Sequence, residues 1–452
     1  MRRTLRAVSL FTNCGAGDIG FASAGFQFDV IAELDARRLE VAKLNHPDAR
    51  AVPGDLRSTW GLVRDRYREL RGAPPPDLLA ACPPCQGMSS ARSGRGKESD
   101  ADAGSRDGRN LLVVPIAKTV QALKPRVVVV ENVPAFLTRR VRDPETNRPI
   151  SAARLLISIL EHEYQVFAAV VDLADFGVPQ NRRRCFLTFI RRDEKALKKL
   201  HALQVSPFPR PSHGTPGRRH VTLDHALAKM KLASLDSRNE RLAGDRRRPL
   251  HSVPVWADMR YKMVMAIPSR SGLSAWENER CVRCGRVEVR DDDATCPKCR
   301  GPLLRPVIQE DDGTWRLING FRSTSYRRMA VDRPASTITT ASGHVGSDLT
   351  IHPWEHRVLS PLECAELQTI PRSFDWGESL SRFGSTFVRE MIGEAVPPRY
   401  TERHGRVIAK LLSGQVDRSF LPSQDDRCTR ARAKLDATAS DDKVTQEKRR
   451  TR

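Results

Sequence analysis

The chain has 452 residues, 39% of them hydrophobic, and a formal net charge of +22. This length allows one large domain or roughly two or three smaller ones. No apolar run reaches the length of a membrane span, and the N-terminal run is too short for a signal peptide. We therefore expect a cytoplasmic protein whose ten cysteines are reduced, metal-bound or catalytic. The charge suggests a polyanionic partner, and scattered solvated charge with a basic tail is the plainer alternative.

The chain begins with a predicted strand and a glycine-rich turn. Residues 7–11 are apolar, and the small residues 12–20 lead into a helix, which brings backbone N–H groups close to a ligand. Residues 28–32 predict a second strand that ends at Glu33, where a carboxylate can accept from ribose hydroxyls. A helix cap or a solvated acid is the alternative for Glu33. Asp55, after a third short segment, is placed to accept from an adenine amine.

A cysteine follows the next predicted strand. Residues 76–80 are largely apolar, and Pro83 and Pro84 end the strand because proline donates no ladder hydrogen bond. Cys85 comes next, at the end of a parallel strand, where open α/β sheets bind their ligands. This position predicts a nucleophilic thiol. A redox pair with Cys82 and simple packing are the alternatives.

Two further motifs carry charged side chains. An uninterrupted run of valines ends residues 124–130, as expected for a central parallel strand, and Glu131 follows on the same sheet edge as Cys85. A helix cap is the alternative for Glu131. Gln180, Arg182 and Arg184 alternate, so they share a face in an extended segment and can hold phosphates or a base.

The order and spacing of these motifs resemble the cytosine-C5 DNA methyltransferases. The resemblance covers residues 7–190 and about 320–412 and implies an α/β fold: a Rossmann-like S-adenosylmethionine-dependent methyltransferase domain and a smaller target-recognition domain. Cysteine spacing separately predicts a zinc ribbon within the smaller domain. The motifs that carry it are Leu10-Phe11 with the glycine turn, Pro83-Pro84-Cys85-Gln86, Glu131-Asn132-Val133, Gln180-x-Arg182-x-Arg184, Arg333-Pro334-x-x-Thr337-Ile338 and Gly393-Glu394-Ala395-Val396-Pro397-Pro398.

The resemblance implies roles for individual residues. Cys85 would be the nucleophile beside Gln86, Glu131 would act on the cytosine ring, and Arg182 would anchor a ring carbonyl. The target base would have to leave the duplex stack to be reached. The residues implied to bind S-adenosylmethionine are Phe11, Asn13, Cys14, Gly15, Glu33, Asp55, Pro84 and Glu394.

The sequence departs from the family pattern at four of its motif positions. Asn13 and Ala16 stand where the family usually has glycine, and so does Cys82. Glu394 replaces the usual asparagine of the last motif. Each departure bears on a position that the resemblance places near the cofactor or the reacting base.

Residues 191–332 lie where the family carries its sequence-reading domain. Within them, Cys281-x-x-Cys284 is followed after eleven residues by Cys296-x-x-Cys299, which predicts a zinc ribbon with one structural zinc. Four unrelated reduced thiols are the alternative. Residues 287–290 are expected to form a strand between the two knuckles. Three basic clusters could hold phosphates, and ordinary solvated surface is the alternative interpretation of each. The clusters are Arg218-Arg219-His220, Arg246-Arg247-Arg248 and Arg327-Arg328.

The remaining boundaries follow from these assignments. We expect residues 1–190 and 333–414 to form the catalytic domain, with helical character over 353–376, and residues 415–452 to be a disordered tail with Cys428 unpaired. The expected partner is double-stranded DNA, bound by a monomer at the prokaryotic nucleoid, with no membrane. Whether a cognate restriction endonuclease exists stays open. Methylation of cytosine in RNA and a silent DNA-binding relative are the competing functions.

Overall fold

The computed structural model describes residues 4–70, 72, 74–84, 108–319, 324–347 and 349–450. The chain divides into two compact units. Unit 1 comprises Met1–Phe176, Arg183–Thr215 and Ala395–Arg452, and unit 2 comprises Gly177–Arg182 and Pro216–Glu394. Among the described residues, no helix is both long enough and apolar enough to span a bilayer.

A seven-stranded sheet forms the centre of unit 1, in the order β3-β2-β1-β4-β5-β9-β8. Strands β1 to β5 pair in parallel, and β9 pairs antiparallel with both β5 and β8. The order reverses direction between β1 and β4, so ligands are expected at the carboxyl ends of these strands. The strands of unit 1 up to residue 215 are β1 Leu5–Leu10, β2 Phe26–Glu33, β3 Arg50–Pro53, β4 Leu78–Ala81, β5 Val127–Asn132, β6 Arg140–Arg142, β7 Pro149–Ser151, β8 Tyr164–Asp172, β9 Arg183–Arg191 and β10 Val205–Pro209.

Helices cover both faces of this sheet. One face buries a core shared by α3, α4 and α5, whose apolar residues recur at helical spacing. On the other face Tyr400 of α11 stacks on Phe186 of β9, with ring centroids 4.5 Å apart. Helix α1 packs on α11, where a Cβ at Gly20 would lie 2.0 Å from Thr401 Oγ1. The α-helices of unit 1 that precede residue 415 are α1 Ala16–Ser23, α2 Ala36–Asn45, α3 Leu56–Arg68, α4 Val113–Leu123, α5 Ala152–Leu160, α6 Ala196–Ala202 and α11 Pro398–Leu412.

The end of the chain is structured, so the expected disordered tail over 415–452 is wrong for its first part. Strand β17, Phe420–Pro422, pairs with β10, and helix α12, Asp426–Arg450, follows it. Ala431 and Leu435 enter the same core as the central strands, and Cys428 is also buried. The buried apolar side chains of this polar helix hold it against the sheet, which overrides its composition.

Unit 2 is built from short elements and several small cores. Arg328 lies at the centre of one of them, and its buried guanidinium donates to the carbonyl oxygens of Val264, Ile267 and His352. Helix α10 contains a break at Gly384, where φ is 80°. The elements are α7 Leu223–Met230, β11 Gly244–Asp245, β12 Arg248–Ser252, α8 Asp258–Met265, β13 Arg280–Cys281, β14 Gly285–Arg286, β15 Val307–Gln309, β16 Trp315–Leu317, α9 Pro361–Leu367 and α10 Ser379–Glu394.

The boundaries differ from those expected of the sequence. Residues 191–215 belong to unit 1 and residues 333–394 to unit 2, so the smaller unit includes much of the predicted return to the catalytic domain. The helical character expected over 353–376 is confined to α9. Residues 287–290 are not a strand; the short hairpin of β13 and β14 precedes them instead.

Candidate active site

The carboxylate of Glu131 lies at the carboxyl end of β5, next to the chain that leaves β4. Ala81 pairs with Val130, and the same register places Cys82 beside Glu131. The Cys82 Sγ lies 2.8 Å from Glu131 Oε2 and donates a hydrogen bond to it. Glu131 therefore belongs to the buried strand β5, one residue before its end, and does not cap a helix; its side chain is 8% exposed.

The other oxygen of this carboxylate contacts an arginine that sequence reasoning did not select for the site. Arg184 Nε lies 3.0 Å from Glu131 Oε1, and the Arg184 side chain is 13% exposed. Glu131 pairs with Phe186 across β5 and β9, so Arg184, two residues from Phe186, points to the same face. The alternation of basic residues contained this signal, but choosing between them required the register of β9.

Arg182, expected to anchor the reacting base, occupies a different environment from Arg184. Its guanidinium is buried in unit 2, where Nη1 donates to Ile338 O at 2.9 Å and Nη2 donates to Gly393 O at 2.8 Å. Gln180 is also buried there, and its amide donates to Gln368 Oε1 at 2.8 Å. The side chains of these two motif residues therefore stabilise unit 2 by hydrogen bonds to backbone carbonyls of separate segments.

Asn132 connects β5 to the proline pair that precedes Cys85. Its buried amide Nδ2 donates to Pro83 O at 2.9 Å, and its Oδ1 accepts from the Val133 N–H at 2.8 Å. Both prolines are described, and Pro84 is partly exposed. Cys85 and Gln86 lie outside the described residues, so the contacts of the expected nucleophile are not part of this geometry.

The turn after β1 adopts the left-handed backbone that the family obtains with glycine. Phe11 has φ 58°, Asn13 has φ 52° and Gly15 has φ 79°. Asparagine takes this conformation more readily than most residues, which explains how Asn13 replaces a glycine. The Thr12 hydroxyl donates to the buried carboxylate of Asp18 and so fixes the turn to α1.

Glu33 holds this turn from the end of β2. Its Oε2 accepts from the Asn13 N–H at 2.8 Å, and its Oε1 accepts from the Leu34 N–H at 2.9 Å. Burial raises the pKa of Glu33, although these backbone donors oppose the shift. Oε1 also accepts from the Asp35 N–H at 3.2 Å, so it is Oε2 whose second lone pair can accept from a ligand hydroxyl. The cap of α2 is the neighbouring Asp35.

The remaining residues expected to bind the cofactor differ in how accessible they are. Asp55 caps α3 and pairs with Arg57, whose hydrogen bond lowers the pKa of the carboxyl. The Cys14 thiol is fully buried, and burial raises its pKa to about 12, so it packs as an apolar group. Glu394 belongs to unit 2, whereas the other cofactor residues belong to unit 1.

The four cysteines of the predicted zinc ribbon converge in unit 2. The sulfur atoms of Cys281, Cys284, Cys296 and Cys299 all lie within 4.8 Å of one another. The backbone N–H of Arg283 donates to Cys281 Sγ at 3.3 Å. Burial opposes ionisation of Cys296, but backbone N–H donors of neighbouring residues outweigh it and lower its pKa to about 7. This donor set fits a tetrahedral thiolate site.

The basic clusters of unit 2 divide into exposed and buried side chains. Residues 218–219 and 246–248 are exposed arginines. Arg328 is buried, and its carbonyl partners make it a structural residue, which corrects its expected phosphate role. Arg327 is 29% exposed and pairs with Glu277.

Comparisons with known proteins agree with this architecture. Residues 5–410 match the family model described as C-5 cytosine-specific DNA methylase. The Type II methyltransferase M1.HgaI of Avibacterium volantium is 26% identical over 423 residues, covering 90% of this chain and 99% of the relative. M1.HphI of Haemophilus parahaemolyticus is 29% identical over 416 residues, covering 91% and 88%. A solved candidate DNA modification methyltransferase from an Escherichia coli prophage shares the fold, with a TM-score of 0.53, 19% identity and coverage of 90% and 99%.

Proposed function

The chain belongs to the C-5 cytosine-specific DNA methylases, and from this premise we propose that Cys85, Glu131 and Arg184 carry its reaction. The enzyme transfers a methyl group from S-adenosylmethionine to C5 of a cytosine in DNA. The observation that carries the proposal is the carboxylate of Glu131, which is held between Cys82 and Arg184 at the ligand-binding edge of the sheet.

Cys85 acts on the cytosine ring as a thiolate. Addition of the thiolate to C6 moves the ring electrons toward C5, which becomes enamine-like and can accept a methyl group. A base then removes the C5 proton, and the thiolate leaves as the aromatic ring is restored. Glu131 shares a proton with N3 of the ring and so offsets the negative charge that develops there. Arg184 orients that carboxyl through Oε1.

S-adenosylmethionine supplies the electrophilic methyl group when it is bound. Glu33 would accept from its ribose hydroxyls, and the backbone of the Phe11–Gly15 turn would help to hold it. Asp55 would contribute an acceptor that it shares with Arg57, and Pro84 completes the expected set within unit 1. The hydrogen bond from Asn13 N to Glu33 supports this arrangement because it places the turn and the carboxylate together.

The four-cysteine cluster of unit 2 holds one structural zinc ion in this proposal. Four thiolates close the coordination shell, so the ion stabilises the local fold and leaves no position for substrate. The mutual distances of the sulfur atoms support this assignment. Unit 2 as a whole reads the DNA sequence, and its exposed arginines contact phosphates.

The biological setting is a Type II restriction–modification system, in which a monomer methylates the site that a cognate endonuclease would cut. The similarity to M1.HgaI and M1.HphI, each described as a Type II methyltransferase, supports this setting. The enzyme would act in the prokaryotic cytoplasm on nucleoid DNA. Detection of a complex between this protein and an endonuclease would extend the proposal. Size-exclusion chromatography of the protein bound to DNA tests whether it binds as a monomer.

A direct assay tests the function. The protein is incubated with S-adenosylmethionine labelled with tritium in the methyl group and with either duplex DNA or transfer RNA. We expect label at cytosine C5 in DNA alone, within a defined sequence. Label in RNA alone would contradict the assignment of the substrate, and label in neither with intact cofactor binding would indicate a silent relative.

A further inference from the structure

Cys82 is a thiol at the position where the family usually has glycine, and in this protein it contacts the carboxylate of Glu131. Its Sγ lies 2.8 Å from Oε2, whereas Arg184 Nε lies 3.0 Å from Oε1. The two oxygens are therefore held by different partners from two different strands. A glycine at position 82 has no side chain to make the first contact.

A second thiol nearby does not share this role. Cys185 follows Arg184 in β9 and points to the opposite face of the sheet, where its Sγ donates to Val133 O at 3.3 Å. On the face of Glu131, the neighbouring ring of Tyr400 belongs to α11, and it is fully buried. Among the described residues, the thiol that reaches the carboxylate is that of Cys82.

We propose that Cys82 is a positioning residue that holds Oε2 of Glu131 in the orientation needed to share a proton with the cytosine ring. This inference rests on the proposed role of Glu131. The guanidinium of Arg184 only donates hydrogen bonds, so Oε1 must remain an acceptor. A proton carried by Glu131 therefore resides on Oε2, which is the oxygen that Cys82 contacts.

A thiol suits this position because it works with both states of the carboxyl group. The S–H group is a weak donor, and Oε2 keeps an acceptor lone pair in both states, so Cys82 can donate to Oε2 whether it is ionised or protonated and leaves the carboxyl proton for the ring. No proton needs to leave the thiol in either case. Without Cys82, the contacts that remain among the described residues hold the carboxyl through Oε1, and the group can rotate about its terminal torsion, which is broad in carboxylates.

Three variants at one position test the proposal: Cys82→Ala, Cys82→Gly and Cys82→Ser. We expect alanine and glycine to lower kcat about fivefold to tenfold, in line with the loss of one weak hydrogen bond to a charged group. KM for DNA and for S-adenosylmethionine should change less than about twofold, because the thiol contacts neither in this scheme. Serine, which both donates and accepts, should restore more than half of the lost activity.

The pH profile of kcat separates positioning from packing. If Cys82 orients the proton of Glu131, Cys82→Ala should shift the limb of the kcat–pH profile that depends on this proton. Cys82→Ser should shift that limb back toward its wild-type position. Alanine with wild-type kcat at every pH would overturn the proposal. A loss confined to KM, or an equal loss in the serine variant with an unshifted profile, would also overturn it.

The variant Glu131→Gln tests the catalytic role of Glu131 separately from the positioning role of Cys82. If Glu131→Gln retains wild-type activity, the assigned role of Glu131 fails. If Glu131→Gln loses activity while Cys82→Ala does not, only the positioning role of Cys82 fails. In single turnovers of the Glu131→Gln protein, adding Cys82→Ala should cause less than about a twofold further loss, because coupled residues are not additive.

Discussion

Arg184 and Glu131 form an ion pair across β9 and β5, with 3.0 Å between Nε and Oε1 and side chains 13% and 8% exposed. Charges this well buried depend on their partners, because removing one leaves the other without compensation. The pair also lies near the carboxyl end of β5, beside the segment that leads from β4 to Cys85. Its removal should therefore affect the chemistry more than the fold.

We expect Arg184→Ala to lower kcat about 100-fold or more, as does the loss of other charge-stabilising groups in active sites. Arg184→Lys should recover only part of this loss, because lysine lacks the planar fork of arginine. Steady-state methylation measures both. The exposed neighbour Arg183 provides the matched control, and Arg183→Ala should keep kcat within about twofold of wild type if this interpretation is correct.

Arg182→Ala should instead destabilise unit 2. Its guanidinium satisfies the carbonyls of Ile338 and Gly393, and unpaired buried carbonyls cost about 2 to 4 kcal/mol together. Denaturant unfolding and methylation assays of both variants distinguish a loss of stability, expected for Arg182→Ala, from a loss of activity, expected for Arg184→Ala. A fully stable Arg182→Ala protein without catalysis would return the anchoring role to Arg182.

Cys85→Ser should abolish methyl transfer and leave DNA binding in place, because a hydroxyl is barely ionised at neutral pH. Turnover above a few per cent of wild type would contradict the nucleophile assignment. DNA containing 5-fluorocytosine should trap a covalent complex on Cys85, since fluorine cannot leave as a proton does. Mass spectrometry locates the adduct, and finding it on Cys82 would reverse the assignment of this pair.

Cys284→Ser should remove the zinc ion and weaken DNA binding more than cofactor binding. Cys284 is exposed, so the substitution leaves no cavity, and a loss can be ascribed to the metal. Metal analysis and separate titrations with DNA and S-adenosylmethionine measure the two effects. Absence of zinc from the freshly purified wild-type protein would count against the site.

Truncation after Ser413 should destabilise unit 1, since it removes β17 and α12. Phe420, Leu421 and Leu435 are buried, and exposing such side chains costs about 1.5 to 3 kcal/mol each. Truncation after Thr438 keeps these contacts and serves as the matched control. It should leave Tm nearly unchanged and leave the methylated sequence the same. Equal stability of the two truncated proteins would show that α12 does not contribute to the core.

His404 should make unit 1 less stable in weak acid. Burial lowers its pKa to about 3, so the unfolded chain binds the extra proton between that value and pH 6.5. Because the unfolded state binds more protons in this window, stability falls as pH falls, by about 2 kcal/mol between pH 7 and pH 5. Urea unfolding of wild type and His404→Phe should show this slope only in wild type, and parallel curves would contradict it.

Local sequence was sufficient for much of the site. Strand-forming runs followed by Glu33 and Glu131 predicted that these carboxylates lie at strand ends, and both do, at the edge where parallel strands present their carboxyl ends. The paired Cys-x-x-Cys motifs likewise predicted a cluster, and their sulfur atoms do converge. In each case the signal lies within a few residues and does not depend on distant contacts.

Tertiary structure decided the features that depend on register and on packing partners. Arg182 and Arg184 are equivalent in an alternating pattern, but β9 begins at Arg183, and only the register of β9 with β5 brings Arg184 to Glu131. The polar composition of the last residues predicts disorder, but buried side chains such as Leu435 hold α12 on the sheet. Both outcomes arise from neighbours far away in the chain, and composition and local periodicity carry no information about them.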